Sequence, residues 1–216
     1  MKPDLCLTIF CKNPFLTETK TRLKLETSRA QALYHAFLLD TIARPYPAEA
    51  DKFLHLYPAV SEDFRQNFSQ AGFTHLIQKG DDLGERMHNF FVWGYNQGYR
   101  KMVLLGSDQP TLPPNRISRA FELLDRFPAV LGPSMDGGYY LIGLRKPDRS
   151  LFTDIAWGES GVLEATVSRL GSSFGLLEPW YDVDRPEDLE FLKTHLKALQ
   201  QSGGRYLPTH TINRLW

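Results

Sequence analysis

Apolar residues along this chain recur first at strand spacing and then at helical spacing, and the alternation repeats almost from end to end. Apolar runs predict strands near Leu5 to Phe10, Lys52 to Tyr57, Thr74 to Gln78, Met102 to Leu105, Ala129 to Gly132 and Phe174 to Trp180. Helical spacing predicts helices near Ser28 to Ala43, Glu62 to Ala71, Leu83 to Gln97, Asn115 to Phe127, Ser160 to Leu170 and Pro186 to Gln200. In the third of these, Leu83, Met87, Phe90, Phe91 and Tyr95 fall on one face, which makes the aromatics core residues first. Strands separated by helices imply a mostly parallel sheet covered on both faces, an α/β fold.

Length changes the picture little: 216 residues, 42% of them hydrophobic, fit one large domain with a full core. That domain is expected over residues 1–199. The tail, 200–216, carries Gly203-Gly204 and then the apolar anchors Tyr206, Leu207, Pro208, Ile212, Leu215 and Trp216. It reads as an extended arm that either folds back over its own domain or meets a second copy in a homodimer. The formal net charge is zero, which argues against a broad electrostatic grip on nucleic acid or an anionic membrane. Two cysteines, Cys6 and Cys11, are too few for a disulfide scaffold, so a reducing cytoplasm is the expected location. The first apolar run stops at Lys12 without a small-residue cleavage site, unlike a signal peptide, and no run approaches about 18 apolar residues.

Candidate chemistry gathers where apolar runs end in acids. In Gly132-Pro133-Ser134-Met135-Asp136-Gly137-Gly138-Tyr139-Tyr140, an acid, two glycines and two tyrosines stand between β-like runs. Gly137 and Gly138 allow a backbone to approach a ligand, and Asp136 is placed to accept hydroxyl hydrogen bonds; the plainer reading is a hairpin turn with a solvated acid. The run Val103 to Leu105 stops at Gly106-Ser107-Asp108, and in open α/β sheets ligands bind outside the carboxyl ends of strands. Asp108 there either binds a metal or phosphate group or only caps a turn. Asp182 and Asp184 share one face of an extended segment and have the hard oxygens that suit Mg2+ or Mn2+. Asp184 is alternatively the N-cap of the helix that Pro186 begins, and Asp188 reads as a first-turn helix acid. After the first strand a basic loop supplies Lys12, Lys20 and Arg22 as phosphate donors; it holds neither a Walker motif nor a Gly-x-Gly-x-x-Gly fingerprint, and the alternative is a solvated loop.

Together these stretches resemble the bacterial radical-SAM/selenodomain-associated, arsenosugar-biosynthesis-type glycosyltransferases of the nucleotide-diphospho-sugar transferase superfamily. The resemblance runs from about Leu5 to Leu192. It is carried by Lys12-x-Pro14, Lys20-Thr21-Arg22-Leu23, Asp82-Leu83-Gly84-Glu85-Arg86-Met87, Gly106-Ser107-Asp108-x-Pro110, Asp136-Gly137-Gly138-Tyr139, Trp157 and Asp182-Val183-Asp184. The Lys-Thr-Arg-Leu loop and the Asp-Val-Asp end are also similar to phospholactate guanylyltransferases, which transfer a nucleotidyl group. Two departures stand out: Thr17 replaces a glycine usual before the basic loop, and Gly158-Glu159 replaces the Ser-Thr usual after the tryptophan.

The resemblance implies a GT-A-like three-layer α/β/α sandwich, with a nucleotide across the first half of the sheet and an acceptor across the second. It implies that Lys12, Lys20 and Arg22 neutralise phosphates, while Asp82, Gly84 and Arg86 lie close to the base or ribose. Asp108 would hold Mg2+ or Mn2+ against the diphosphate with Asp182, with Asp184 as a further or alternative ligand. Asp136 would contact sugar hydroxyls or act as a base, beside Gly137, Gly138, Tyr139 and Trp157, although core packing remains the other use of Tyr139 and Tyr140. The expected function is a metal-dependent glycosyltransferase moving a sugar from a nucleotide diphosphate to a small-molecule acceptor. A nucleotidyltransferase releasing pyrophosphate is the second reading, and a non-catalytic nucleotide-binding protein the third.

Overall fold

Leu5–Lys12 forms strand β1, and six consecutive buried residues, Cys6 to Cys11, mark it as the covered centre of a sheet. The computed structural model describes residues 4–68, 72–204 and 206–216. The other strands are β2 (Ala50–Tyr57), β3 (Thr74–Ile77), β4 (Lys101–Leu105), β5 (Ala129–Pro133), β6 (Tyr139–Leu144) and β7 (Gly175–Leu176). The helices are α1 (Thr27–Ala43), α2 (Glu62–Phe68), α3 (Leu83–Asn96), α4 (Asn115–Arg126), α5 (Val162–Leu170), α6 (Pro186–Gln201) and α7 (Thr209–Leu215). The sheet order is β3-β2-β1-β4-β6-β5-β7, and every pairing is parallel except the two made by β6. This is the mostly parallel α/β sheet that the hydrophobic pattern predicts.

Alternation along β1 divides the core between the two faces of the sheet. Leu7, Ile9 and Cys11 join one buried cluster with Tyr34, Leu54, Ile117 and Leu124, whereas Cys6 and Phe10 join another with Phe53, Met87, Phe90 and Phe91. A third cluster, including Leu23, Phe37, Val183 and Leu192, ties the loop after β1 to α1 and α6.

Two features of the topology place the site. The chain moves from β1 through β2 to β3 on one side and then returns to β4 on the other side of β1, creating a switch point at their carboxyl ends. Antiparallel β6 starts where β4 finishes: Leu105 pairs with Leu141, and the Gly106 N–H donates to the Tyr140 carbonyl at 2.9 Å. The turn before β6 therefore opens at the same end of the sheet.

Two expectations differ from the structure, and a third falls outside the described residues. β7 keeps only two residues of the run Phe174 to Trp180, because Pro179 has no N–H to extend a ladder and Trp180 makes a lone bridge to Ser134. α2 is described to Phe68, and its expected extension to Ala71 falls on 69–71, outside the described residues. The tail is not simply extended, since 209–215 is helical and packs on α1. Its local cause is Asp40: the 3% exposed carboxylate accepts the N–H groups of His210 at 3.0 Å and Thr211 at 2.7 Å, satisfying donors that a helix start leaves open. Among the described residues no helix is long and apolar enough to cross a membrane.

Candidate active site

A cleft of about 650 Å³ opens at the carboxyl ends of β1 and β4. Its basic end is built from the loop after β1. The Lys12 N–H donates to the Tyr34 hydroxyl at 2.9 Å, and that hydroxyl shares a 2.9 Å hydrogen bond with Ser107 Oγ, so α1 ties the two strand ends together. Asn13, fully buried, pins the loop through Nδ2 to the Ala59 carbonyl and Ser61 Oγ, both at 3.0 Å. Lys20 and Lys24 flank the short 3-10 turn Thr21–Leu23 with φ of 56° and 54°, a region that non-glycine residues rarely occupy. Burial of Leu23 in the third core cluster holds this turn in place.

The Lys20 side chain, 3% exposed, runs from that turn into the middle of the cleft. Its Nζ lies 2.5 Å from Asp108 Oδ1 and 2.6 Å from Asp184 Oδ1. Burial disfavours the ammonium, but Asp108 and Asp184 outweigh it and raise the Lys20 pKa above the ordinary lysine value. Burial likewise works against Asp184, yet Lys20, Arg22 and Lys12 hold its pKa below the usual carboxylate range. For Asp108, burial and the charge of Asp184 prevail over Lys20 and the pKa is raised. Asp184 reaches this position because the N–H of buried Val183 donates to the Asp108 carbonyl at 3.0 Å, laying 182–184 along the end of β4. The Asp184 N–H donates to the Asp188 carboxylate at 3.0 Å, so Asp188 caps α6 and Asp184 is free to face Lys20.

Asp182 has other partners. Its carboxylate accepts from the Gln109 side-chain amide and the Ser134 hydroxyl. Burial raises its pKa to about 7, against those two hydrogen bonds and with help from the charges of Asp108 and Asp136.

At the far end the wall is the 134–138 turn and the loop before α5. Asp136 is exposed, with Oδ1 accepting the Gly138 N–H at 3.0 Å, and it lines the cleft with Gly138, Tyr139, Trp157, Gly158 and Glu159. Tyr140 also touches the cleft but is 1% exposed, and its ring fills the space above Gly132. Three expected site residues do not line the cleft. Asp82 accepts the Glu85 N–H at 2.8 Å as the N-cap of α3. Gly84 packs α3 against the Trp157 loop, where an added Cβ would lie 2.6 Å from Trp157 Nε1. Gly137, with φ of 91°, packs the turn on the start of α5; a Cβ there would stand 2.7 Å from Ser160 Cα. The expected residues that do line the cleft are Lys12, Lys20, Arg22, Arg86, Asp108, Asp136, Gly138, Tyr139, Trp157, Asp182 and Asp184.

The sequence model of DUF2064, an uncharacterized family conserved in bacteria, matches residues 41–159. The chain belongs to this family. A crystal structure of a "putative nucleotide-diphospho-sugar transferase" from Desulfovibrio desulfuricans G20 superposes with a TM-score of 0.85 at 31% identity, covering 98% of this chain and 94% of that one. The 4-diphosphocytidyl-2C-methyl-D-erythritol synthase of Anaerococcus prevotii DSM 20548 superposes with a TM-score of 0.59 at 9% identity, covering 89% and 96%. A CMP:2-keto-3-deoxy-manno-octonic acid synthetase complexed with CTP gives 0.51 at 11% identity, covering 90% and 99%. At those last two identities the likeness is one of fold. No curated protein matches the chain in sequence.

In this DUF2064 chain the three candidate metal ligands have different partners. Asp108 and Asp184 point to a common spot, which Lys20 Nζ occupies, while Asp182 is held by a hydroxyl and an amide. Among the described residues no group of three or more His, Cys, Asp or Glu stands ready to hold an ion. Asp108 and Asp184 therefore present two carboxylates at the point that Lys20 Nζ holds.

Among the cleft residues that escaped the sequence reading of the site are Tyr57, Gln78, Gln109 and Tyr34. The Arg86 guanidinium lies over the Tyr57 ring, 3.9 Å from its centroid, and Gln78 Nε2 donates to the His55 carbonyl at 2.8 Å. Tyr57 ends β2 and Gln78 follows β3, so the rule that singled out Asp108, a polar residue where an apolar strand stops, also reaches these two. Tyr34 had no such signal, because on α1 it reads as an ordinary core aromatic.

Proposed function

We propose that the cleft binds a nucleotide-sugar and transfers its sugar to a small acceptor. The observation that carries this reading is the buried Lys20 ammonium held between Asp108 and Asp184, with Lys12, Arg22 and Arg86 lining the same cleft. A diphosphate is the ligand such cations suit, and its oxygens compete with the two carboxylates for Lys20. The stacked Arg86 and Tyr57, with Gln78 beside them in the cleft wall, offer a flat platform for the nucleoside. Support for sugar as the transferred group comes from the motif resemblance and from the name of the Desulfovibrio relative.

In this reading the acceptor hydroxyl oxygen bonds to the sugar carbon that carries the diphosphate. The bond from that carbon to the diphosphate oxygen breaks, its electron pair leaving with the nucleoside diphosphate. Asp136 takes the hydroxyl proton, and Lys12, Lys20 and Arg22 hold the charge that grows on the leaving oxygens. Mg2+ or Mn2+, which Asp108 and Asp184 would hold, supplies further neutralisation of that charge when bound. Trp157, fixed by its packing on Gly84, walls the acceptor end.

Nucleotidyl transfer is the second reading, favoured by four basic side chains in one cleft, enough to meet a triphosphate. Product analysis decides between them. Nucleotide-sugars and nucleoside triphosphates are incubated with the protein, Mg2+ or Mn2+ and a panel of small acceptors. Release of a nucleoside diphosphate from one nucleotide-sugar supports the proposal; release of pyrophosphate from a triphosphate, with no nucleotide-sugar consumed, replaces it with the second reading.

A further inference from the structure

The charges lining the cleft are unevenly placed: Lys20 and its neighbours stand with Asp108 and Asp184, and another part of the wall carries acids alone. The charged groups that act on Asp184 include Lys20, Arg22 and Lys12, whereas those acting on Asp182 are the acids Asp108 and Asp136. Beyond Asp182 the cleft wall is formed by the 134–138 turn and the loop before α5, which meet where Gly137 packs on Ser160 and its carbonyl accepts the Leu163 N–H at 2.9 Å. These two segments bring Asp136 and Glu159 to the cleft and no basic residue. Both acids are exposed, and no salt bridge among the described residues includes either of them. Two uncompensated negative charges remain available to act on whatever enters that end.

We infer that the acceptor is a hydroxyl compound without phosphate or carboxylate groups, neutral or carrying an amine, and that Glu159 together with Asp136 sets this preference. The inference rests on the transferase reading above and narrows it. An anionic acceptor would bring a second negative charge against Asp136, Glu159 and the departing diphosphate, with no cation in these two segments to offset it. A neutral polyol loses nothing in that field and gains two carboxylates as hydrogen-bond acceptors for its hydroxyls. An amine gains attraction as well. Trp157 adds an apolar wall for the carbon skeleton of a polyol or sugar.

The test uses matched acceptors that differ only in charge: glycerol, 2-amino-1,3-propanediol, glycerol 3-phosphate and glycerate. Nucleoside-diphosphate release is followed for each, using the nucleotide-sugar that most raises the melting temperature of the protein. Wild-type protein is expected to favour the neutral and amine acceptors over the two anions by at least tenfold in kcat/KM. Glu159→Lys, at an exposed position where folding is not at risk, should cut that ratio at least tenfold, and Glu159→Gln should fall between. Anionic acceptors used as well as neutral ones, or a ratio unchanged in Glu159→Lys, would overturn the inference. A second readout needs no turnover: the Trp157 contribution to fluorescence, taken as wild type minus Trp157→Phe, should show a caesium-to-iodide quenching ratio above that of free N-acetyltryptophanamide. Glu159→Lys should lower that ratio, and a wild-type ratio no higher than that of the free indole would count against the inference even if no acceptor reacts. Failure of every nucleotide-sugar to bind would sink the transferase reading instead, leaving the quenching result to judge the charge of this end.

Discussion

Asp184 and Asp182 stand two residues apart on one extended segment, yet they belong to different electrostatic worlds. Asp184 faces a buried ammonium with Lys12 and Arg22 nearby, and its pKa is held down. Asp182 receives only an amide and a hydroxyl, has acids for charged neighbours, and its pKa climbs to about 7. The same contrast extends to the cleft as a whole: the β1 loop brings cations that meet Asp108 and Asp184, whereas the 134–138 turn and the loop before α5 bring Asp136 and Glu159 without a cation of their own. Spacing in the sequence brings carboxylates to one place; the elements packed against them decide which is charged and what it can hold.

The largest expected effect separates the two acids by function. Asp184→Ala, which leaves Lys20 with one carboxylate, should lower turnover at least 100-fold, about 3 kcal/mol in the barrier, with the fold retained in circular dichroism. Asp182→Asn keeps an acceptor oxygen and should cost less than tenfold; equal losses in the two variants would erase the distinction between them.

Next comes pH. His55 under the basic half of the sheet is buried and its pKa falls from 6.5 to about 4, so the folded state prefers it neutral. The stability that follows is complete above pH 6.5 and is lost as pH drops toward 4, up to about 3 kcal/mol. For Asp182 the folded pKa is raised, so its contribution is complete below about pH 4 and is lost as pH rises through 7. Denaturant melts from pH 4 to 8 should show the acid limb vanish in His55→Asn and the neutral limb flatten in Asp182→Asn.

Lys20→Met is expected to cost about 2 kcal/mol of stability, less than a fully buried pair because the two acids keep 36% side-chain exposure, and to weaken nucleotide binding at least tenfold. Gly84→Ala should cost about 2 kcal/mol, because its Cβ would collide with the Phe152 carbonyl oxygen and stand 2.6 Å from Trp157 Nε1, and should raise KM for the acceptor more than for the donor. Equal changes in both would mean that Trp157 does not belong to one end.

Much of this was legible before any coordinates. The α/β alternation was plain because buried parallel strands read as apolar runs, and Asp108, Lys20 and Arg22 stood at strand ends or in the loop after the first strand. What spacing does not show is direction. Asp182 and Asp184 share an extended segment, but Trp180 pairs with Ser134 on one side while the Val183 N–H bonds to the Asp108 carbonyl on the other, and these long-range contacts turn the two carboxylates to different partners. Gly84 and Gly137 read as ligand-facing glycines because close approach to a ligand and close approach to Trp157 or Ser160 demand the same missing Cβ. The helix at 209–215 was hidden because its cap, Asp40, lies far away in sequence.

The most direct test is calorimetric titration of nucleotide-sugars, UDP-glucose and GDP-mannose among them, into wild type and Lys20→Met in the presence of Mg2+. The account predicts that one of them binds and that its Kd rises at least tenfold in the variant. Binding that is indifferent to Lys20, or none with any nucleotide-sugar, would contradict the assignment of this cleft.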